Sequence, residues 1–147
     1  MNEFTLTTPA VLFPAVSLIL LAYTNRFLAI SNLIRSLKDK YDESGEKHLL
    51  EQLKNLRRRI LLIRNMQFLG VLSLLMCVIS MYFIFESRPV TARFIFGIAL
   101  VSLIMSLVLS MREIHLSIVA LNLELKDIEE QLKEKKSVFR KIQELDI

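Results

Sequence analysis

The sequence predicts an all-α fold in which three transmembrane helices extend into a cytoplasmic, antiparallel three-helix coiled-coil bundle. Three long apolar runs, residues 4–23, 66–85 and 94–111, support this prediction. Each of them is 18 to 20 residues long and contains no Asp, Glu, Lys or Arg, which is about the length that a helix needs to cross a bilayer. Gly and Pro occur only three times each, so the chain has little material for turns and favours long helices over strands.

The distribution of basic residues predicts the orientation of these spans. Ten Lys or Arg lie between residues 24 and 65, and seven follow residue 111, whereas the loop 86–93 holds two. The positive-inside rule therefore places the N-terminus outside, the hairpin 24–65 in the cytoplasm and the C-terminal helix 112–147 in the cytoplasm. By its length the chain forms a single membrane domain, and the lack of a basic segment before the first run favours a retained span over a cleaved signal peptide.

The first helix is predicted to begin near Thr8, a good N-cap, with Pro9 in its first turn and Pro14 bending it. An apolar seam, meaning residues spaced alternately three and four apart, then continues beyond the membrane: Tyr23, Phe27, Ile30, Ile34, Leu37 and Tyr41. Asp42, Ser44 and Gly45 predict a turn after this seam.

The second helix is predicted to return through a seam of the same spacing: Leu49, Leu53, Leu56, Ile60 and Ile63. Two seams separated by a short turn are typical of an antiparallel helical hairpin. This helix is expected to cross the membrane and to end before Pro89 in the turn 86–89.

The third helix is predicted to continue without a break from about residue 92 to about residue 145. Its cytoplasmic seam contains one polar interruption, Lys135, and comprises Ile114, Ile118, Leu121, Leu125, Ile128, Leu132, Phe139 and Ile142. This tail is longer than the hairpin, so its end has no intramolecular partner in a straight bundle. We therefore expect Phe139, Ile142 and Leu145 to serve self-association or the binding of a partner membrane protein.

Small residues form stripes within the second and third apolar runs. Gly70, Ser73, Cys77 and Ser80 lie on the second run, and Ser102, Ser106 and Ser110 lie on the third. Such stripes allow close helix packing in a membrane, so we expect these two to pack together. The alternative is a polar serine track that lines a pore.

Charged residues at the predicted inner membrane surface form the candidate site. Glu113 is the only acidic residue at this level, and we expect it to pair with Arg26 or Arg64. The pair would form a clasp that fixes the register of three helices. The alternative is a gate or an ion-binding ring in an oligomer.

The adjacent basic run Arg57, Arg58 and Arg59 predicts binding to the headgroups of membrane lipids. Nucleic-acid binding is not expected, because no aromatic residues lie among these basic residues. His48 and His115 are isolated from each other and from Cys77, so neither a metal, another cofactor nor a catalytic histidine is expected.

Three segments of the chain resemble a known family. They are Thr24-Asn25-Arg26, Leu56-Arg57-Arg58-Arg59 and Arg112-Glu113-Ile114, each at a predicted membrane boundary. Together they resemble the domain-of-unknown-function family numbered twenty-seven twenty-one. The resemblance implies a bacterial inner-membrane protein with three spans, and it implies no established activity.

The sequence thus favours a non-enzymatic, oligomeric scaffold or small subunit that docks partners through its cytoplasmic helices. The alternative is a homo-oligomeric channel for ions or small solutes. A membrane enzyme is not expected, because no nucleophile, phosphate loop or carboxylate pair is present in the sequence.

Overall fold

The computed structural model describes residues 4–145, and this part of the chain consists of three helices without strands: α1 (Thr7–Ser44), α2 (Lys47–Phe85) and α3 (Pro89–Leu145). The predicted all-α class is therefore confirmed. All three helices are long and apolar enough to cross a membrane, as judged by length and composition. The chain divides into two compact units, residues 1–113 and 114–147, and the division falls within α3.

In the first unit, α1 and α2 pack as a hairpin along the two predicted seams. Tyr23, Ile30, Leu56 and Ile63 are buried in one apolar cluster together with Met66. The remaining seam residues that pack against this cluster are Phe27, Ile34, Leu37 and Ile60. Seam spacing keeps one face of each helix towards the other, so burial of these residues stabilises the hairpin over most of its length.

The hairpin turn between α1 and α2 is built on Gly45. Its φ of 65° lies in the left-handed region, and its N–H donates to the Tyr41 carbonyl at 2.8 Å. A glycine adopts this conformation without the strain that a Cβ adds. The turn was correctly placed from the sequence.

The start of α1 differs from the prediction. Leu6, rather than Thr8, is the N-cap, and no side chain caps the helix. Helical backbone bonds begin earlier, since the Ala10 N–H donates to the Leu6 carbonyl at 3.3 Å. Thr8 therefore lies inside the helix, and Pro14 is accommodated within it.

The connection between α2 and α3 is a tight turn at Glu86–Arg88. Ser87 has a φ of 62°, and the Arg88 N–H donates to the Phe83 carbonyl at 3.0 Å. Such a bond closes the end of a helix across a left-handed residue. Pro89 is the first residue of α3, a position where its missing N–H removes no helical bond.

The second unit is the C-terminal part of α3, and its side chains from Leu121 to Glu144 are all exposed. The seam residues at 118, 121, 125, 128, 132, 139 and 142 have between 53% and 69% of their surface exposed. The predicted three-helix bundle of the cytoplasmic segments stays a prediction. The side chain of Leu145 lies outside the described residues.

Candidate functional site: a buried carboxylate at the end of the helix register

Three serine hydroxyls hold α2 and α3 together in one antiparallel register. Ser80 Oγ donates to the Ala92 carbonyl at 2.9 Å, and Ser73 Oγ donates to the Ala99 carbonyl at 2.8 Å. Ser106 Oγ on α3 donates in the opposite direction, to the Met66 carbonyl at 2.7 Å. Each step of seven residues along α2 is thus matched by seven residues along α3. Two helices that keep a constant register over three such contacts present the same faces to each other throughout.

Glu113 occupies the next step of this register. Seven residues beyond Ser106, it lies opposite Arg59, which is seven residues before Met66. Its Oε1 accepts a hydrogen bond from Arg59 Nη2 at 3.2 Å, and its Oε2 accepts one from Arg26 Nη1 of α1 at 2.9 Å. The carboxylate therefore joins all three helices at one level.

The surroundings of this carboxylate make its partners necessary. Glu113 is 2% exposed, and a buried carboxylate is costly unless cations and hydrogen-bond donors replace the water it has lost. The side chains of Arg26 and Arg59 are 39% and 21% exposed, so each guanidinium retains some contact with the surroundings. Charge-assisted bonds of this kind are about twice as strong as neutral ones.

The sequence predicted that Glu113 pairs with Arg26 or Arg64, and the structure pairs it with Arg26. Arg26 and Glu113 are paired as expected, but Arg59, rather than Arg64, is the second arginine in contact with the carboxylate. Arg64 is exposed. The prediction chose Arg64 because it lies close to the apolar run, whereas contact depends on which face of the helix a residue occupies.

A signal for Arg59 was present in the spacing. The predicted stripe Gly70, Ser73 and Cys77 continues towards the N-terminus of α2 in steps of three and four through Met66, Ile63 and Arg59. Ile63, Met66 and the stripe residues are buried, so the face they share is the one that packs against the neighbouring helices. Extending the stripe would have placed Arg59 on that face and Arg64 off it.

The two small-residue stripes lie in the packed interior of the first unit. Ser73, Cys77, Ser102 and Ser106 are buried, and Ser110 is half-buried. The serine hydrogen bonds between α2 and α3, however, involve residues 92, 99 and 106 of α3, which are seven apart. The residues of the predicted α3 stripe are four apart, and Ser106 is the member that belongs to both sets. Alanines thus provide much of the α3 surface at this contact.

Among the three glycines, Gly70 of α2 has the least space for a side chain, because α1 passes close to it. A Cβ on Gly70 would lie 2.8 Å from Leu20 Cδ2 of α1 and 3.7 Å from Ser106 Oγ of α3. A distance of 2.8 Å is too short for two carbon atoms, so a side chain at residue 70 would displace the tip of Leu20. The absence of a side chain lets the three helices meet at this level.

Two further polar contacts join α1 to α2 and α3. Ser106 Oγ lies 3.4 Å from the Tyr23 hydroxyl, and Gln67 Nε2 donates to Thr24 Oγ1 at 3.1 Å. Buried polar groups require such partners, and partners on different helices restrict how those helices slide and rotate.

The other predicted site residues lie apart from this centre. Arg57 and Arg58 are exposed on α2, whereas Arg59, predicted with them to contact lipid, binds Glu113. Phe139 and Ile142 are exposed in the second unit. In the described part of the chain, no group of three or more His, Cys, Asp and Glu is arranged to hold a metal ion.

Comparison with protein families gives a match over most of the chain. The family model described as protein of unknown function (DUF2721) matches residues 6–123. The matched range includes Arg26, Arg59 and Glu113, and it ends before Phe139. Neither curated proteins nor solved structures gave a match.

Proposed function

The chain belongs to the DUF2721 family of proteins of unknown function, and from this premise we propose that it is a non-enzymatic membrane scaffold. In this proposal the first unit spans a bacterial inner membrane three times. The second unit is a cytoplasmic helix through which the protein self-associates. The exposed seam of the second unit is the observation that carries the proposal.

Membrane insertion is supported by three apolar helices and by the positions of the basic residues. The hairpin between the first two apolar runs holds ten Lys or Arg and the segment after the third holds seven, against two in the turn that joins the second and third. By the positive-inside rule, the Glu86–Arg88 turn faces outwards, and the Gly45 turn and the C-terminal end of α3 face the cytoplasm.

A coiled-coil arrangement of the first unit is supported by its seven-residue periodicity. Pro9, Val16, Tyr23 and Ile30 of α1 are buried at intervals of seven. On α3 the corresponding buried positions are Ala92, Ala99, Ser106 and Glu113. A repeat of seven is shorter than two ideal helical turns require, so helices that maintain it wind around one another with a left-handed twist.

The contacts of the serines favour a structural role over a pore. Ser73, Ser80 and Ser106 donate their hydroxyl protons to carbonyls of the neighbouring helix. A hydroxyl engaged in this way stabilises helix packing and leaves little of its hydrogen-bonding capacity for a passing ion. Glu113 likewise has an arginine on each carboxylate oxygen. These contacts support a clasp that fixes the helices.

The basic face of the hairpin is suited to the anionic headgroups of the inner leaflet. Arg57, Arg58 and Arg64 are exposed close to where α2 is proposed to enter the membrane. Each such residue near an anionic surface contributes about 1 kcal/mol of attraction. Membrane lipids are therefore proposed partners, together with a second copy of the chain.

Self-association through the second unit is tested by two matched variants. Leu125 lies on the exposed seam, and Leu123 lies two residues away on the opposite face of the same helix, with a similar exposed fraction. We expect the purified protein in mild detergent to have the mass of an oligomer. Leu125→Glu should reduce that mass and Leu123→Glu should not, because only the first places a charge in the apolar contact.

The measurement is the protein mass within the detergent complex, determined by light scattering combined with absorbance. Equal masses for the wild type and both variants would contradict self-association through the seam. Ion flux through liposomes that contain the purified protein, lost in Glu113→Gln, would support the channel alternative instead.

A further inference from the structure

An open groove runs along the N-terminal part of α3, within the first unit. It has a volume of about 540 Å³ and is lined by Arg93, Phe94, Gly97, Ile98, Val101 and Ser102. Apart from Arg93 and Ser102, these lining residues are apolar. Gly97 leaves room for the groove, because a Cβ at this position would meet no atom within 4 Å.

The groove has the depth of one membrane leaflet. From Arg93 to Ser102 the helix rises by about 14 Å, and the hydrocarbon of one leaflet is about 15 Å thick. Arg93 directly precedes the apolar run 94–111. In the proposed topology its guanidinium therefore lies at the level of the outer headgroups, and the rest of the groove lies among the acyl chains.

Arg93 is held at the mouth of the groove by an aromatic contact. Its guanidinium carbon lies 5.8 Å from the centre of the Phe4 ring, within the range of a cation–π interaction. The Phe4 ring in turn packs against Phe96, with 5.5 Å between the ring centres, and Phe96 belongs to a buried cluster. Within the described residues Arg93 forms no ion pair, so its charge is available to an anion.

The residues around Gly97 make a second helix a poor occupant of this groove. Membrane helices approach each other closely where small residues recur four apart. The residues four before and four after Gly97 are Arg93 and Val101, and both are large. Their side chains would hold a neighbouring backbone away from Gly97, whereas a flexible acyl chain can lie between them.

From the groove and its cation, and resting on the proposed membrane insertion, we propose that the first unit binds an anionic phospholipid of the outer leaflet. Arg93 donates charge-assisted hydrogen bonds to the phosphate, and one acyl chain lies in the groove over Gly97. A zwitterionic lipid offers the same phosphate together with a compensating cation, so it should bind more weakly. This site is separate from the exposed arginines of α2, which are proposed to face the inner leaflet.

Tryptophan fluorescence can report on the lipid beside the groove, because the chain contains no Trp of its own. Ile98→Trp places the reporter in the groove wall, and Leu75→Trp is the matched control on α2. The Ser73–Ala99 hydrogen bond places Leu75 level with Gly97, and Leu75 and Ile98 are 52% and 53% exposed.

Each protein is reconstituted into phosphatidylcholine liposomes that contain either brominated phosphatidylglycerol or brominated phosphatidylcholine. Bromine quenches a nearby Trp, so the ratio of quenching by the two brominated lipids measures the local preference for an anionic lipid. Both leaflets have the same composition, and the orientation of the inserted protein therefore does not affect the result.

We expect the preference at residue 98 to exceed that at residue 75 by about fivefold, the ratio that an attraction of about 1 kcal/mol produces. Arg93→Gln removes the charge and Gly97→Val fills the groove, so either change should lower the preference at residue 98 to that at residue 75. Arg88→Gln removes an exposed charge outside the groove and should leave the preference unchanged.

Three outcomes would overturn the proposal while leaving membrane insertion intact. They are an equal preference at residues 98 and 75, a preference that survives Gly97→Val, and equal losses in Arg93→Gln and Arg88→Gln. Quenching of residue 75 but not of residue 98 by either lipid would show that protein covers the groove, which also overturns the proposal. If neither residue is quenched, the chain does not lie among acyl chains and the proposed membrane insertion fails as well. Thermal melting of each variant, matched to that of its parent, ensures that it is folded.

Discussion

Replacing Glu113 by Gln removes the negative charge that Arg26 and Arg59 both contact. Glu113 is 2% exposed and accepts hydrogen bonds from both arginines at 2.9 and 3.2 Å. Gln has nearly the same size, but its amide group brings donors towards two cations. The change therefore affects the charge and the hydrogen bonds while leaving the packing volume almost unaltered.

The magnitude follows from the two contacts and their exposure. Hydrogen bonds to charged groups contribute about 1.5–3 kcal/mol each, and loss of one partner from a fully buried pair costs about 3–5 kcal/mol. The side chains of Arg26 and Arg59 are 39% and 21% exposed, so solvent screens part of each interaction. The cost of the substitution should therefore be lower than for a fully buried pair. We expect the free energy of unfolding to fall by about 2–3 kcal/mol, which corresponds to a decrease in Tm of roughly 5–10 °C.

The assay is thermal unfolding of the purified protein in mild detergent, followed by circular dichroism. Arg64→Gln is the matched control, because Arg64 is exposed and the substitution also removes one charge. The control should change stability by less than about 0.5 kcal/mol. An unchanged Tm in Glu113→Gln, or an equal decrease in both variants, would refute the assignment of Glu113 as a clasp.

Two further substitutions test the packing of the first unit by the same melting assay. Gly70→Val should destabilise by about 1–3 kcal/mol, because even its Cβ would lie 2.8 Å from Leu20 Cδ2. Gly97→Val, where no atom lies within 4 Å of the added Cβ, is the control, and equal losses would argue against close helix approach at residue 70. Ser106→Ala should cost about 0.5–1.5 kcal/mol through loss of its bond to α2. Ser17→Ala, whose hydroxyl bonds only within α1 at an exposed position, should have less effect, and the reverse order would contradict the proposed register.

Much of the architecture could be predicted because the decisive signals are local. The apolar runs lack charged residues, and Gly45 and the Glu86–Pro89 segment supply the strong turn signals between them. Seam spacing identified the buried faces of the hairpin, since residues three and four apart lie on one side of a helix. The start of α1 was misplaced because backbone bonding at Leu6 began the helix before the capping signal at Thr8.

The candidate site was predicted less completely because its contacts depend on the register between helices. Proximity to the membrane boundary suggested Arg64, but the α2–α3 register selects Arg59, five residues away on a different face. That register is set by Ser73, Ser80 and Ser106, whose carbonyl partners on the opposite helix cannot be read from composition. For the tail, the seam shows which face of the helix is apolar and does not show what covers that face.

Accessibility of single cysteines tests the proposed membrane topology most directly. In the Cys77→Ala background, Glu86→Cys lies in the turn between α2 and α3, and Glu144→Cys lies near the end of α3. A maleimide that cannot cross the inner membrane is added to intact cells and, separately, to cells whose inner membrane has been permeabilised. The account predicts labelling of residue 86 in both samples and of residue 144 only after permeabilisation. Labelling of residue 144 in intact cells, or recovery of the protein in the soluble fraction, would contradict it.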